Sequence, residues 1–223
     1  MRDIRLFFTS LLFLAVHSLS QGQITQSKAG YLIFVKFNKG EVIKQNIGMI
    51  ADGNSKLKST TQYAIKCIGT DKNKVSTLEV TVSAGGKVAQ TRKKMLIGKH
   101  GEPYGEKIEG YGGSFAWPNK PIKMGQSWVG NVSLAGTGQG NAGAIKSTYK
   151  LAGIKSIGGV KVACISSVMK VGGSFDVSGT GMIYVKFSDG QLHSADFNLG
   201  LKQYSDSGAE MRMKLLMTMR TVK

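Results

Sequence analysis

Residues 210–220 read Glu210-Met211-Arg212-Met213-Lys214-Leu215-Leu216-Met217-Thr218-Met219-Arg220. Met211, Met213, Leu215, Met217 and Met219 occupy alternate positions, and apart from Leu216 the residues between them are charged or polar. Side chains on a strand point to opposite faces in turn, so period two predicts a strand with one apolar and one wet face. The same alternation sets Ile145, Ser147, Tyr149 and Leu151 against Lys146, Thr148 and Lys150, and Leu78, Val80 and Val82 against Thr77, Glu79 and Thr81. Half-buried antiparallel strands follow.

Turn signals separate these runs at Asn38–Gly40, Asp52–Asn54, Asp71–Asn73, Gly85–Gly86, Gly158–Gly159 and Asp189–Gly190, residues that tolerate positive φ. The punctuation predicts an all-β single domain of about nine to eleven antiparallel strands, a curved sheet closing as a half-barrel or sandwich, with little helix. Val88–Leu96, basic and poorly periodic, is the one helix candidate. Ile33–Gly40 and Ile183–Gly190 resemble each other and suggest two hairpins of one design, without a tandem duplication. Residues 98–143 hold all three prolines and both tryptophans. Their Ile108, Tyr111, Phe115, Trp117, Ile122, Met124 and Trp128 are too much apolar mass for a solvated linker, so residues 21–223 read as one β-rich domain with a crossing segment at 98–143.

Composition agrees. The chain has 223 residues, 41% of them hydrophobic, enough to build a core; glycine numbers 30 and no period of three appears, which excludes collagen. Arg2 and Arg5 precede an apolar run from Leu6 to Val16, and Ser18, Leu19 and Ser20 follow, so residues 1–20 read as a secretory signal peptide cleaved after Ser20. The expected location is exported, periplasm or extracellular. No later stretch has the length of an apolar membrane helix.

The full chain carries 30 basic against 13 acidic side chains, a net charge of +17, and residues 1–20 hold only two of the former and one of the latter. Beyond residue 20 the only arginines are Arg92, Arg212 and Arg220. Arginine is the side chain that reads guanine edges, so sequence-specific nucleic acid is a poor partner. A lysine-rich exported protein fits anionic surfaces instead: a membrane surface, a lipid head or an anionic polysaccharide. A solvated basic face without a partner is the other reading.

Cys67 and Cys164 lie in alternating runs, Tyr63-x-Ile65-x-Cys67 and Val160-x-Val162-x-Cys164, with both thiols on the apolar side. Two readings stand. A disulfide would constrain the unfolded chain by about 4 to 5 kcal/mol; two reduced core cysteines would not. With His100 and His193 they show no metal-ligand spacing, so no metal site is expected.

Gly138, Gly140 and Gly143 satisfy G-x-G-x-x-G, but the alternating run after them forms no helix, and the next acidic residue is Asp176, so no dinucleotide or other cofactor is implied. His100 and His193 sit beside no nucleophile signature and read as surface histidines. Glu102, Glu106 and Glu109, after the basic Arg92, Lys93, Lys94 and Lys99, read as a charge-balanced loop. No enzyme is predicted. The methionine stripe is more informative, because methionine adapts to irregular partners. Met211, Met213, Leu215, Met217 and Met219, with Trp117 and Trp128, are the candidate lining for an amphiphilic ligand; a filled core is the alternative.

Residues 117–128, Trp-Pro-Asn-Lys-Pro-Ile-Lys-Met-Gly-Gln-Ser-Trp, resemble the Pro-x-Lys-Pro-Val-Lys-x-Gly-x-Ser-Trp segment of a group of uncharacterised exported bacterial proteins. In that group a Thr-Tyr-x-Leu strand follows, here Thr148–Leu151, then a Gly-Val-Lys-x-Ala-x-Ile strand, here Gly159–Ile165, and a Gly-x-Gly hairpin entry, here Gly179–Gly181. The overall pattern is also similar to the periplasmic lipoprotein-carrier fold. The resemblance implies an exported all-β layout and no particular reaction. Two functions are carried forward. One is a non-catalytic exported β-protein holding a lipid-like amphiphile on the Met-rich face; the other is a cell-envelope or matrix protein holding anionic polymers on its lysines.

Overall fold

The computed structural model describes residues 22–35, 37–52, 57–84, 87–100, 103–104, 117–133, 144–171, 175–188, 192–204 and 210–222. Residues 1–20, where the sequence reading puts a signal peptide, the G-x-G-x-x-G run and Glu102, Glu106 and Glu109 lie outside them. The described residues form β1 (Gly22–Ser27), β2 (Gly30–Val35), β3 (Val42–Asp52), β4 (Leu57–Thr70), β5 (Ser76–Ala84), β6 (Lys87–Ile97), β7 (Pro103–Tyr104), β8 (Ser127–Ser133), β9 (Ala144–Ile157), β10 (Val160–Val171), β11 (Phe175–Lys186), β12 (Leu192–Tyr204) and β13 (Glu210–Val222), with no helix among them.

Eleven strands make one antiparallel sheet in the order β7-β6-β5-β4-β3-β13-β12-β11-β10-β9-β8, and β1 and β2 pair separately as a hairpin. The large sheet is two meanders joined where β13 pairs with β3, Met217 opposite Met49. The edge strands β7 and β8 do not pair, so the sheet is open and curved, and the passage from β7 to β8 runs from one edge to the other. Trp117–Gln126 lies on that passage.

Where side chains are described, the strands keep one face in the core. On β13 Leu215, Met217 and Met219 are buried while Arg212, Lys214, Leu216, Thr218 and Arg220 are exposed, as the alternation requires. The hairpin covers the inner face. Ile24 and Ile33 join the core cluster, Tyr31 exchanges backbone hydrogen bonds with Ile122 (both 2.8 Å), and Phe34 stacks on His100 with ring centroids 5.5 Å apart. Gly30 is obligatory there: its φ is +133°, and a Cβ would meet the Ile122 carbonyl. At the β9–β10 turn Gly158 and Gly159 both have positive φ, the demand of a two-residue hairpin loop.

Three expectations are corrected. Val88–Leu96 is strand β6, paired along β5. Its period is poor because Leu78 faces Met95 and Val80 faces Arg92, and again Val82 faces Gln90 and Ser83 faces Val88. Each step inserts an extra residue in β6, and each bulge reverses which face the next side chains take. Ile33–Gly40 is no hairpin, since the strands flanking it, β2 and β3, belong to different sheets; Ile183 by contrast sits on β11, which pairs with β12. His100 is buried at 8% exposure, so it is no surface histidine. Cys67 and Cys164, for which both readings stood open, are free and buried. Cys67 belongs to the core cluster; on β10 Cys164 lies between Ala163 and Ile165 of that cluster, opposite Tyr184 of β11.

Candidate functional site

Of the residues expected to line a ligand site, Trp128 and Met217 share one cross-strand row of the core face. Register sets Trp128 of β8 beside Tyr149 of β9, then Ser167, Gly181, Phe197, Met217 and Met49 on β10, β11, β12, β13 and β3. Trp128 stacks on Tyr149 (5.8 Å between centroids), and Trp117 lies 6.0 Å from Trp128. Leu215, Met217 and Met219 are buried in the shared core, and Met213 packs against it half-buried. The side chain of Met211 lies outside the described set. Large and small residues alternate across this face. A Cβ on Gly181 would collide with the Phe197 ring, and one on Gly179 with the Asn198 carbonyl and Leu199, so the Gly-x-Gly of β11 lets the neighbouring strand approach closely.

Segment 117–128 positions β8. Gly125, at φ +80°, turns the chain, its N–H donating to the Leu151 carbonyl at 2.7 Å, while Leu151 N–H donates to the Gln126 carbonyl at 3.1 Å. The Lys123 N–H donates to Gln126 Oε1 at 2.9 Å. These bonds register Trp128 against Tyr149.

The exposed face carries a different feature. Two adjacent cross-strand rows, Lys170–Ser178–Gly200–Lys214 and Asp176–Lys202–Arg212, border a groove of about 600 Å3. The depression exists because Gly200 has no side chain and Ser178 a short one. Val177, Leu201 and Met213, in the row between, also line it; Val177 and Leu201 belong to the core cluster and Met213 packs against it. Among the described residues that line it are four cations and one carboxylate, Asp176. Sequence reading missed this site because Lys170, Lys202, Arg212 and Lys214 are scattered along the chain and only the register unites them. The signal available was the lysine-rich wet face of each strand together with Gly200, a gap in the alternation of β12.

Acid–base groups are dispersed. His100 follows β6, with its carbonyl accepting from Trp117 N–H at 2.7 Å. His193 is the bulged residue of β12, skipped between the pairs Tyr184–Ser194 and Val185–Leu192, and its Nδ1 is 3.1 Å from Ser194 Oγ. Burial pushes the Tyr149 hydroxyl up to about 12, against a smaller opposing effect of a hydrogen bond with Ser147. Burial likewise raises both thiols, opposed at Cys67 by hydrogen bonds with Thr70 and Gly69 and at Cys164 by the charge of Lys155. Thiols so placed are poor nucleophiles. Among the described residues no group of three or more His, Cys, Asp and Glu side chains is arranged to hold a metal ion.

No family model matches the chain, and no curated protein matches it. Among solved structures it is similar to the hypothetical lipoprotein YmcC from Escherichia coli K12, at 12% identity over 80% of this chain and 83% of that one, with a TM-score of 0.34. A likeness at that score carries no argument about function.

Proposed function

We propose that this is a non-catalytic exported β-protein that binds an anionic ligand in the groove over Gly200. The observation that carries the reading is the cluster of Lys170, Lys202, Arg212 and Lys214 around a depression that one glycine opens in the exposed face. Its volume falls within the range of small-ligand sites, and convergent cations attract an anion from solution. Exposed charge pairs are weak singly, so affinity comes from several cations meeting one polyvalent ligand. Of the two surfaces an amphiphile would need, the cationic one is open to solvent, while Leu215, Met217 and Met219 are committed to the core.

The test is retention on immobilised dextran sulfate against neutral dextran. The full chain binds the first at low salt and elutes as the Debye length shrinks below the spacing of the charges. The double substitution Lys202→Gln with Lys214→Gln weakens binding about tenfold, whereas Lys44→Gln and Lys66→Gln, on β3 and β4 away from the groove, change it little. Equal effects from both pairs would mean that net charge alone governs retention, and the groove reading would be withdrawn.

A further inference from the structure

Next to the groove, the same face carries a second pattern. Register aligns Val129 of β8, Thr148 of β9, Val168 of β10, Thr180 of β11, Asn198 of β12, Leu216 of β13 and Ile50 of β3 in a single row across the sheet. Val129, Val168, Leu216 and Ile50 are 52%, 47%, 49% and 48% exposed, and these four are half of the large apolar side chains exposed among the described residues. They occupy positions where a water-facing strand ordinarily carries polar residues, and six strand spacings of about 4.8 Å separate the ends of the row. Thr148, Thr180 and Asn198, between the apolar groups, carry no charge.

On one side of this row lies the row of Lys170, Ser178, Gly200 and Lys214, with Lys202 and Arg212 beyond it. On the other side lie Lys150, Ser166, Met182, Asp196 and Thr218, and Asp196 is paired with Arg220 at 2.8 Å. The face therefore presents an uncharged apolar row with the cations of the groove along one side and Lys150 on the other, Asp176 lying beside Lys202 in register and Asp196 engaged by Arg220.

We propose that this face docks on an anionic lipid bilayer, Val129, Val168, Leu216 and Ile50 entering the headgroup layer while Lys170, Lys202, Arg212 and Lys214 meet lipid phosphates. The inference rests on the anion-binding reading of the groove and names its partner. Charge complementarity selects the occupant: a second copy of this chain would bring one cationic face against another, and a soluble polyanion would satisfy the lysines without using the apolar row. A bilayer surface supplies both an acidic plane and an apolar layer beneath it.

The experiment measures partition of the full chain onto vesicles of phosphatidylglycerol with phosphatidylcholine, onto vesicles of phosphatidylcholine alone, and onto dextran sulfate, each variant being expressed relative to the unsubstituted chain. The probes are Val168→Thr with Leu216→Thr, which keep β-propensity, and Lys202→Gln with Lys214→Gln; far-ultraviolet circular dichroism selects folded variants, and Ile50→Thr serves if the first pair does not fold. The threonine pair is expected to lower binding to anionic vesicles about tenfold and leave dextran sulfate retention unchanged, while the glutamine pair lowers both. Full vesicle binding by the threonine pair, with loss of both activities in the glutamine pair, overturns the bilayer proposal and leaves the groove as a site for soluble polyanions. Unchanged binding in the glutamine pair on every matrix removes the groove reading and the bilayer proposal together.

Discussion

Gln45 lies on the core face of β3, wholly buried, in register with Tyr63 of β4 and Thr221 of β13, and neither its amide nitrogen nor its oxygen has a hydrogen-bonding partner among the described residues. Burying an amide without compensation costs free energy that an apolar side chain of the same shape would not. Gln45→Met is therefore expected to raise stability by about 1 to 2 kcal/mol in urea unfolding. A loss of stability would mean that the amide is engaged in the folded protein. Tyr149 gives the pH dependence. Its hydroxyl titrates at about 12 in the fold against 10.0 for an ordinary phenol, so the neutral form is the one the fold prefers. That contribution is whole below pH 10 and is lost as pH rises to 12, to the extent of about 3 kcal/mol. The raised thiols of Cys67 and Cys164 act in the same direction from pH 9 upward. Urea midpoints measured from pH 8 to pH 12 should fall, and Tyr149→Phe should flatten the part above pH 10; an unchanged slope in that variant would exclude Tyr149 as the source.

At the scale of elements, the strands legible in the sequence are those whose register runs unbroken. β13 shows its alternation because it pairs without a bulge to β12 and to β3. The alternation of β6 is obscured in the sequence because two bulges shift its phase, and bulges leave no compositional mark. The separate β1–β2 hairpin was missed for another reason: Gln23 to Val35 offers mixed polarity, and its apolar Ile24 and Ile33 have meaning only against the inner face they cover. The glycines of β11 were visible as a Gly-x-Gly entry, but what they do depends on Phe197 and Leu199 across the strand gap. Gly181→Ala is accordingly expected to cost about 1 to 3 kcal/mol by overpacking against Phe197. Combining it with Phe197→Leu should recover part of that loss, as a double-mutant cycle reads directly. Strictly additive effects would show that ring and glycine do not compete for the same space.

For the whole molecule, the all-β class and the strongly basic surface were legible from alternation and composition, while the distribution of function between the faces was not. The methionine stripe drew attention to the inner face, where the register of β8 to β13 and the cover of the β1–β2 hairpin make it the core. The outer face became a candidate only when four cations from three strands converged on Gly200. The sequence left the pairing of the two cysteines open; the fold buries both as free thiols, Cys67 in the core cluster and Cys164 on the same face of β10 as the buried Val162. On the anion-binding reading, ligand meets the outer face. It is tested most directly by following backbone amide resonances of the folded protein while short-chain phosphatidylglycerol is added below its micelle concentration. The account predicts salt-sensitive shifts at Lys170, Asp176, Ser178, Gly200, Lys202, Arg212 and Lys214, with Ile33, Ile65 and Leu151 unmoved. Shifts concentrated instead at Ile33, Leu199, Met217 and Met219 would put the ligand between hairpin and sheet and contradict it.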